Sequence, residues 1–393
     1  MNVSATGSGK LALYANIGPE LTHYDVDVGN ATLTRRGTVM LPANVQYAWP
    51  HASGRYLYIT TSDSASGMGP AGNRHHLTAL RIDPASGTLS QHGGSIPLPS
   101  RPIHNATDVP SEHVLVAFNN PGAIRIYRIN QDFSAGGEVA QHGNIRPGIF
   151  PHQVRVTPDN RKAILVSRGH DAAGGKPEEP GALQVFDYRD GVLSDQVSVA
   201  PNGGYGFGPR HLDFHPTKPW VYVSLERQNA LAMFEHDGDR LSAGPRFQKD
   251  ALAAPARAHQ LVGTVHVHPN GRTVYVANRA SDTVDLGGQR VFAGGENSLA
   301  VYAIDQSTGE PTIIQHVDTR GIHPRTFHID PSGQLLVVAH IMGLTVRDGG
   351  SLRAVATRLS LFRVGADGKL EFVRAYDVDS GDRTMWWMGM VAV

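Results

Sequence analysis

The chain has 393 residues, with 44 glycines, 25 prolines and only 18% charged residues, a balance that favours strands and turns over long helices. Its 35 Lys and Arg match its 35 Asp and Glu, so no charge imbalance points to nucleic acid or a membrane surface as a partner. With no cysteine, disulfides, thiolate metal sites and thiol nucleophiles are excluded.

The chain begins MNVSATGSGKLALYAN, with one lysine and no apolar run of signal-peptide length. No stretch reaches the ~18 apolar residues of a membrane span. A soluble cytoplasmic protein is therefore the default expectation. The stretch "TGSGKLAL" lacks the first glycine of a phosphate-binding loop and the Ser/Thr after its lysine, and it leads straight into a strand. "KLALYANIGPELTHYDVD" reads as two strands.

From there a unit recurs: an alternating strand, a proline-centred turn, an apolar strand, then another apolar strand. The turns are "PHASGRYLYI" (Pro50), "VPSEHVLVAF" (Pro110), "TPDNRKAILV" (Pro158), "HPTKPWVYVS" (Pro216), "HPNGRTVYVA" (Pro269) and "DPSGQLLVVA" (Pro331). They lie about 56 residues apart on average, a repeat that divides the chain into seven units. The third strands are "HLTALRID", "AIRIYRIN", "ALQVFDYR", "ALAMFEHD", "SLAVYAID" and "LSLFRVG". The tail "TMWWMGMVAV" supplies one more strand, which by pairing with the head completes a seventh unit and removes two exposed edges. The expectation is an all-β, single-domain, seven-bladed β-propeller over residues 1–393, its ring closed by the N- and C-terminal strands.

Indexed by turn proline, the residues four and two places earlier are mostly apolar, as in Leu212 and Phe214 or Phe327 and Ile329. Period-two alternation puts them between neighbouring sheets. Six places earlier, at the start of the strand, stand Asn44, His104, His152, Arg210, Gly263 and Arg325. The second strand returns to the same edge and ends at Thr60, Asn119, Arg168, Glu226, Arg279 and Ile341. Both sets converge on one rim, the expected mouth of a central channel. Isolated members such as Asn44 or Thr60 suit a solvated rim. The set His152, Arg210, Glu226, Arg279 and Arg325 resembles an anion site with acid/base capacity. The longest insertions, 62–74, 169–181, 280–296 and 342–356, all follow second strands and emerge on that face, where they would form a wall or lid.

Other motifs carry less. His266 and His268 in "VHVHP" share a strand face but have no evident third ligand, "RHH" at 74–76 reads as loop, and no GxSxG elbow appears. No cofactor and no metal is expected.

"PHQVRVTPDNR", "GPRHLDFHPTKPWVYVSLERQNALAMF", "HVHPNGRTVYVANRASDTV" and "HPRTFHIDPSG" resemble the seven-bladed propeller lactonase family, which includes a bacterial 6-phosphogluconolactonase and the fungal 3-carboxy-cis,cis-muconate lactonizing enzyme. The resemblance spans roughly residues 10–393. It implies a metal-independent site in the channel mouth, with His152, Arg210, Glu226 and Arg279 as catalytic residues. His104, Asn119, Arg168 and Arg325 at the rim, and His211 next to Arg210, are the substrate-binding candidates. The sixth turn unit departs from the family in "VVAHIMG", and the insertions at 169–181, 280–296 and 342–356 are longer than the family leads one to expect.

Three functions follow as expectations: hydrolysis of a small anionic lactone, with Glu226 as base and His152 as proton donor; a carboxymuconate-type cycloisomerase using the same residues; or a non-catalytic binding platform. A closed ring demands no oligomeric partner.

Overall fold

The computed structural model describes residues 10–64, 70–255 and 259–393. The glycine-rich stretch at 6–9 and part of the 62–74 insertion lie outside the described residues. Among the described residues all regular structure is β apart from one short 3-10 turn at Pro201–Gly204. Among the described residues no helix is long and apolar enough to cross a membrane.

Eight four-stranded sheets form, and seven of them follow the repeat seen in the sequence. In six of these the strands run in chain order from a first strand: Asn44–Pro50, Pro102–Thr107, Pro151–Val156, Pro209–Phe214, Leu261–Val267 and Ile322–Ile329. The remaining repeat sheet joins the chain's two ends. Met388–Ala392 pairs antiparallel with Leu11–Ile17, followed by Glu20–Asp27 and Thr32–Met40. The eighth sheet was not anticipated. It is built from the two longest insertions, Thr283–Leu286 and Gln289–Phe292 from one, Leu344–Asp348 and Ser351–Val355 from the other, joined at Val291↔Thr345.

The inner strands of the seven repeat sheets are buried on both faces against neighbouring sheets, whereas the insertion sheet is largely exposed. Ile164, Val166 and Leu183 meet Leu212, Val221, Val223 and Phe234 of the next sheet. Leu335, Val337, Leu359 and Leu361 meet Leu11, Leu13, Met388 and Met390. Buried second-strand tyrosines lock adjacent sheets: the Tyr222 hydroxyl donates to Gly309 O (2.8 Å) and that of Tyr275 to Gly368 O (2.8 Å). This packing fixes the first strands rigidly, which is what a site built on their ends requires.

Candidate functional site

The first strands do not start as regular strands. In the fourth repeat sheet Pro151 pairs with Ser167 and Gln153 with Val166, leaving His152 as an extra residue. The same bulge leaves Arg210 between Pro209↔Leu225 and His211↔Ser224, and Arg325 between Pro324↔His340 and Thr326↔Ala339. A proline precedes all three. Lacking an N–H, it suits a strand's first residue or a bulge, and the bulge redirects the residue that follows.

These pairings correct the register counted from the turn prolines. Pro50 pairs with Leu57 inside its strand, as Phe214 does with Val221, so it stands two places ahead of Pro216. The residues level with Arg210 are Gln46, Ile103, His152, Gly263 and Arg325. Asn44 is exposed at the strand's tip, and Thr60 pairs with Tyr47, leaving Ser62 as the residue level with Glu226. His104 stands level with His211 and Tyr47, one layer further in.

Glu226, 5% exposed, lies at the centre of the cluster. Arg168 Nε donates to its Oε2 and Arg279 Nη2 to its Oε1. Arg210 Nε is 3.0 Å from Oε1, yet Nε and Nη1 of Arg210 have no hydrogen-bond partner. Arg210 is therefore held by charge at the right distance but the wrong angle, and at 1% exposure it keeps buried donors unused. Arg279 lies across Gly263, where a Cβ would stand 3.2 Å from its Nε. The one residue of the level without a side chain thus makes room for a guanidinium from the neighbouring strand.

Burial alone would raise the Glu226 carboxyl, but Arg279, Arg168 and Arg210 outweigh it and hold the group at about 2. Burial, then Arg279, pushes Arg210 down to about 9, still cationic at neutral pH. His152 is driven well below the ordinary imidazole value by burial first and then by Arg210, Arg325, Arg279 and Arg168. Burial, then Arg155 and Arg210, lowers His104 in the same way, and burial, then Arg210 and the neighbouring imidazoles, lowers His211. His152 Nδ1 and both ring nitrogens of His104 lack partners. The rings form a file: Tyr47–His104 at 3.9 Å, His104–His211 at 5.9 Å and His211–His152 at 5.2 Å between centroids.

Arg325 is 9% exposed, and its guanidinium lies 3.8 Å above the Trp386 ring. Among the described residues no carboxylate pairs with it. Arg101 donates from Nε to Gln46 Oε1 (2.8 Å) and lies 5.5 Å from the same indole.

The structure therefore brings together Arg168, Arg210, Glu226 and Arg279, with His152, His211 and Arg325 beside them. Asn119 is the exception. It pairs across its hairpin with Gly122, and no side-chain hydrogen bond or ion pair ties it to the cluster among the described residues. Trp386 and His323 were missed. Trp386 lies in the apparently apolar tail, and His323 hides one residue ahead of "PR" in "IHPRTF", where composition gives no cue. The 169–181 insertion is tied to the cluster: Arg168 Nη2 is 3.0 Å from Asp171 Oδ2, and Arg227 reaches Asp171, Glu178 and His170 O.

The other end of the first strands carries a second ring of residues: Trp49, Arg155, Asp213, His266 and His328. Arg155 Nη1 is 3.3 Å from Asp213 Oδ1, and its guanidinium lies 4.7 Å from the Trp49 ring centroid. His266 Nδ1 is 3.4 Å from Asp213 Oδ2. An open depression of about 710 Å³ lies on this side. His268, the proposed companion of His266, is occupied by Gly333 O at 2.9 Å. Among the described residues no group of three or more His, Asp or Glu is arranged to hold a metal ion.

A family model described as "Lactonase, 7-bladed beta-propeller" matches residues 11–346. A 6-phosphogluconolactonase of Bacillus subtilis is 25% identical over 342 residues, covering 84% of this chain and 87% of that protein. One from Cronobacter sakazakii is 27% identical over 309 residues, covering 78% and 80%. Among solved structures, a periplasmic gluconolactonase of Pseudomonas aeruginosa superposes with a TM-score of 0.73 at 21% identity, covering 98% of this chain and 99% of that one.

Proposed function

Because the chain belongs to the seven-bladed β-propeller lactonase family, we propose that it hydrolyses a small anionic lactone of the 6-phosphogluconolactone type. Its seven repeat sheets would form one closed ring around a channel, with the charged cluster at the channel mouth and no metal in the reaction. The observation that carries this proposal is the surplus of guanidinium groups: Arg168, Arg210 and Arg279 share a single buried carboxylate, Arg325 is stacked on Trp386, and Arg210 keeps unused donors. Such a site favours an incoming anion and the negative charge that develops on a carbonyl oxygen under attack.

The roles divide by electrostatics. Glu226, at about 2, has both carboxylate oxygens engaged by arginines and fixes those arginines. His152 is neutral and has an unpartnered nitrogen, so we assign it, not Glu226, as the base. Water oxygen bonds to the lactone carbonyl carbon while His152 accepts the water's proton. Arg210 donates to the oxyanion, which costs little reorganisation because its donors already point free. As the acyl C–O bond breaks, protonated His152 returns its proton to the leaving ring oxygen, giving the open-chain hydroxy acid. Arg325, stacked on Trp386, holds the substrate's distal phosphate or carboxylate.

The experiment is direct. Purified protein is given freshly made 6-phosphoglucono-δ-lactone, and acid release is followed against the spontaneous rate. Catalysed opening that is lost in His152→Ala supports the proposal. No catalysis, with lactonization of a carboxymuconate instead, would reassign the same residues to addition of a carboxylate across a double bond with proton delivery to carbon.

A further inference from the structure

We propose that His323 is a positioning residue: as a neutral imidazole of one fixed tautomer, it aims the Arg279 guanidinium at the reacting centre. Arg279 Nη1 lies 2.9 Å from His323 Nε2. Arginine has only donors, so Nε2 must be the accepting, unprotonated nitrogen. The proton then sits on Nδ1, which faces Ser281 Oγ at 3.0 Å. The backbone on both sides is fixed as well, since Asn297 Oδ1 accepts from the N–H of His323 and from that of Ala280, each at 2.9 Å. One imidazole thus joins the end of the Thr273–Arg279 strand to the start of the Ile322–Ile329 strand.

The backbone of His323 is held at φ +56°, in the left-handed region that favours glycine. A histidine kept there is over-determined by its surroundings, a pattern concentrated at functional sites. Without His323, Arg279 would keep Glu226 but lose the contact that sets the plane of its guanidinium. A second proton on the ring would set donor against donor and push Arg279 away. Burial, then Arg279, Arg325 and Arg210, keep that proton off.

Two variants separate positioning from mere structure. His323→Gly relieves the backbone strain while deleting the acceptor; His323→Gln restores a neutral acceptor. In the lactonase assay, whose use here rests on the function proposed above, His323→Gly should lower kcat ~10–100-fold, the scale of a misplaced catalytic group, with KM changed less than about threefold and His323→Gln recovering most of the loss. A purely structural role predicts a lowered melting temperature with kcat intact, and a Gln variant no better than Gly; either result overturns the proposal. The second arm is independent of substrate. The side-chain 15N resonances of Arg279, identified by their loss in Arg279→Lys, should move or broaden in His323→Gly and return in His323→Gln. If they do not move, His323 does not position Arg279, whatever the enzyme's substrate. If they move and wild type proves inactive on the lactone, the function proposal fails while the positioning stands.

Discussion

The first strands carry charged residues at both ends, and the two ends are matched differently. At the turn end Arg155 has Asp213 at 3.3 Å, and Asp213 also has His266 at 3.4 Å. Charge is balanced within the ring, and the guanidinium is covered by Trp49. At the starting end three guanidiniums converge on Glu226, a fourth stacks on Trp386, and Arg210 leaves buried donors without acceptors. Unsatisfied buried donors and like-charge crowding cost stability. One end is therefore assembled for stability and the other tolerates strain that a bound anion would relieve. Their sites look alike in a list of charged residues; satisfaction of the partners separates them.

The strongest way to break this contrast is Glu226→Gln. It removes the counter-charge that three buried guanidiniums share, so stability should fall by about 3–5 kcal/mol and turnover by at least ~100-fold, read by urea unfolding and lactone hydrolysis. Arg210→Met makes the sharper case. Turnover should again drop at least ~100-fold, as for a lost oxyanion donor, yet the melting temperature should hold or rise because a buried cation with unused donors has gone. A fall in both would mean that Arg210 is a structural residue. Arg325→Leu should act mainly on substrate capture, raising KM ~10-fold with kcat within about threefold. At the turn end, Arg155→Met should leave kcat/KM within about threefold while costing about 1–3 kcal/mol, because Asp213 loses its guanidinium partner and keeps only His266 and a backbone N–H. A hundredfold loss of activity there would erase the distinction between the two ends.

Much of this was legible in the chain. The turn prolines and the paired third strands disclosed the repeat because period and turn chemistry are local properties. The ends of the second strands named Arg168, Glu226 and Arg279 for the same reason. What failed was register. Pro50 lies within its strand instead of beyond it, which displaced Asn44 and Thr60, and one-residue bulges at His152, Arg210 and Arg325 are decided by partner strands far away in sequence. The expected division of roles, Glu226 as base and His152 as acid, is the one our proposal reverses. Composition shows which groups titrate, but only packing shows that three guanidiniums share one carboxylate and that burial strips the imidazole of its charge. Trp386 and His323 act through contacts with strands from other repeats, and the additional sheet forms only when two insertions meet.

The smallest expected effect is the most exacting test of the base assignment. An imidazole of ordinary pKa, about 6.5, would be roughly three-quarters protonated at pH 6, so a base of that kind would lose about fourfold in kcat/KM between pH 8 and pH 6. His152 lies well below that value, through burial and then Arg210, and Glu226, at about 2, remains ionised throughout. The neutral base therefore persists, and kcat/KM should change by less than about twofold over that range, its acid limb appearing only at lower pH. Stability should behave otherwise. His104, His152, His211 and His323 are all depressed in the folded state, burial being the first cause in each, so the unfolded chain binds more protons as pH falls through about 6.5. Their contribution is fully present above that pH and is lost below it. The melting temperature should therefore decline between pH 7 and pH 6 while kcat/KM stays level. A fourfold loss of activity in step with the melting curve would show that the base is an imidazole its surroundings do not keep neutral, and would remove the electrostatic ground for the role given to His152.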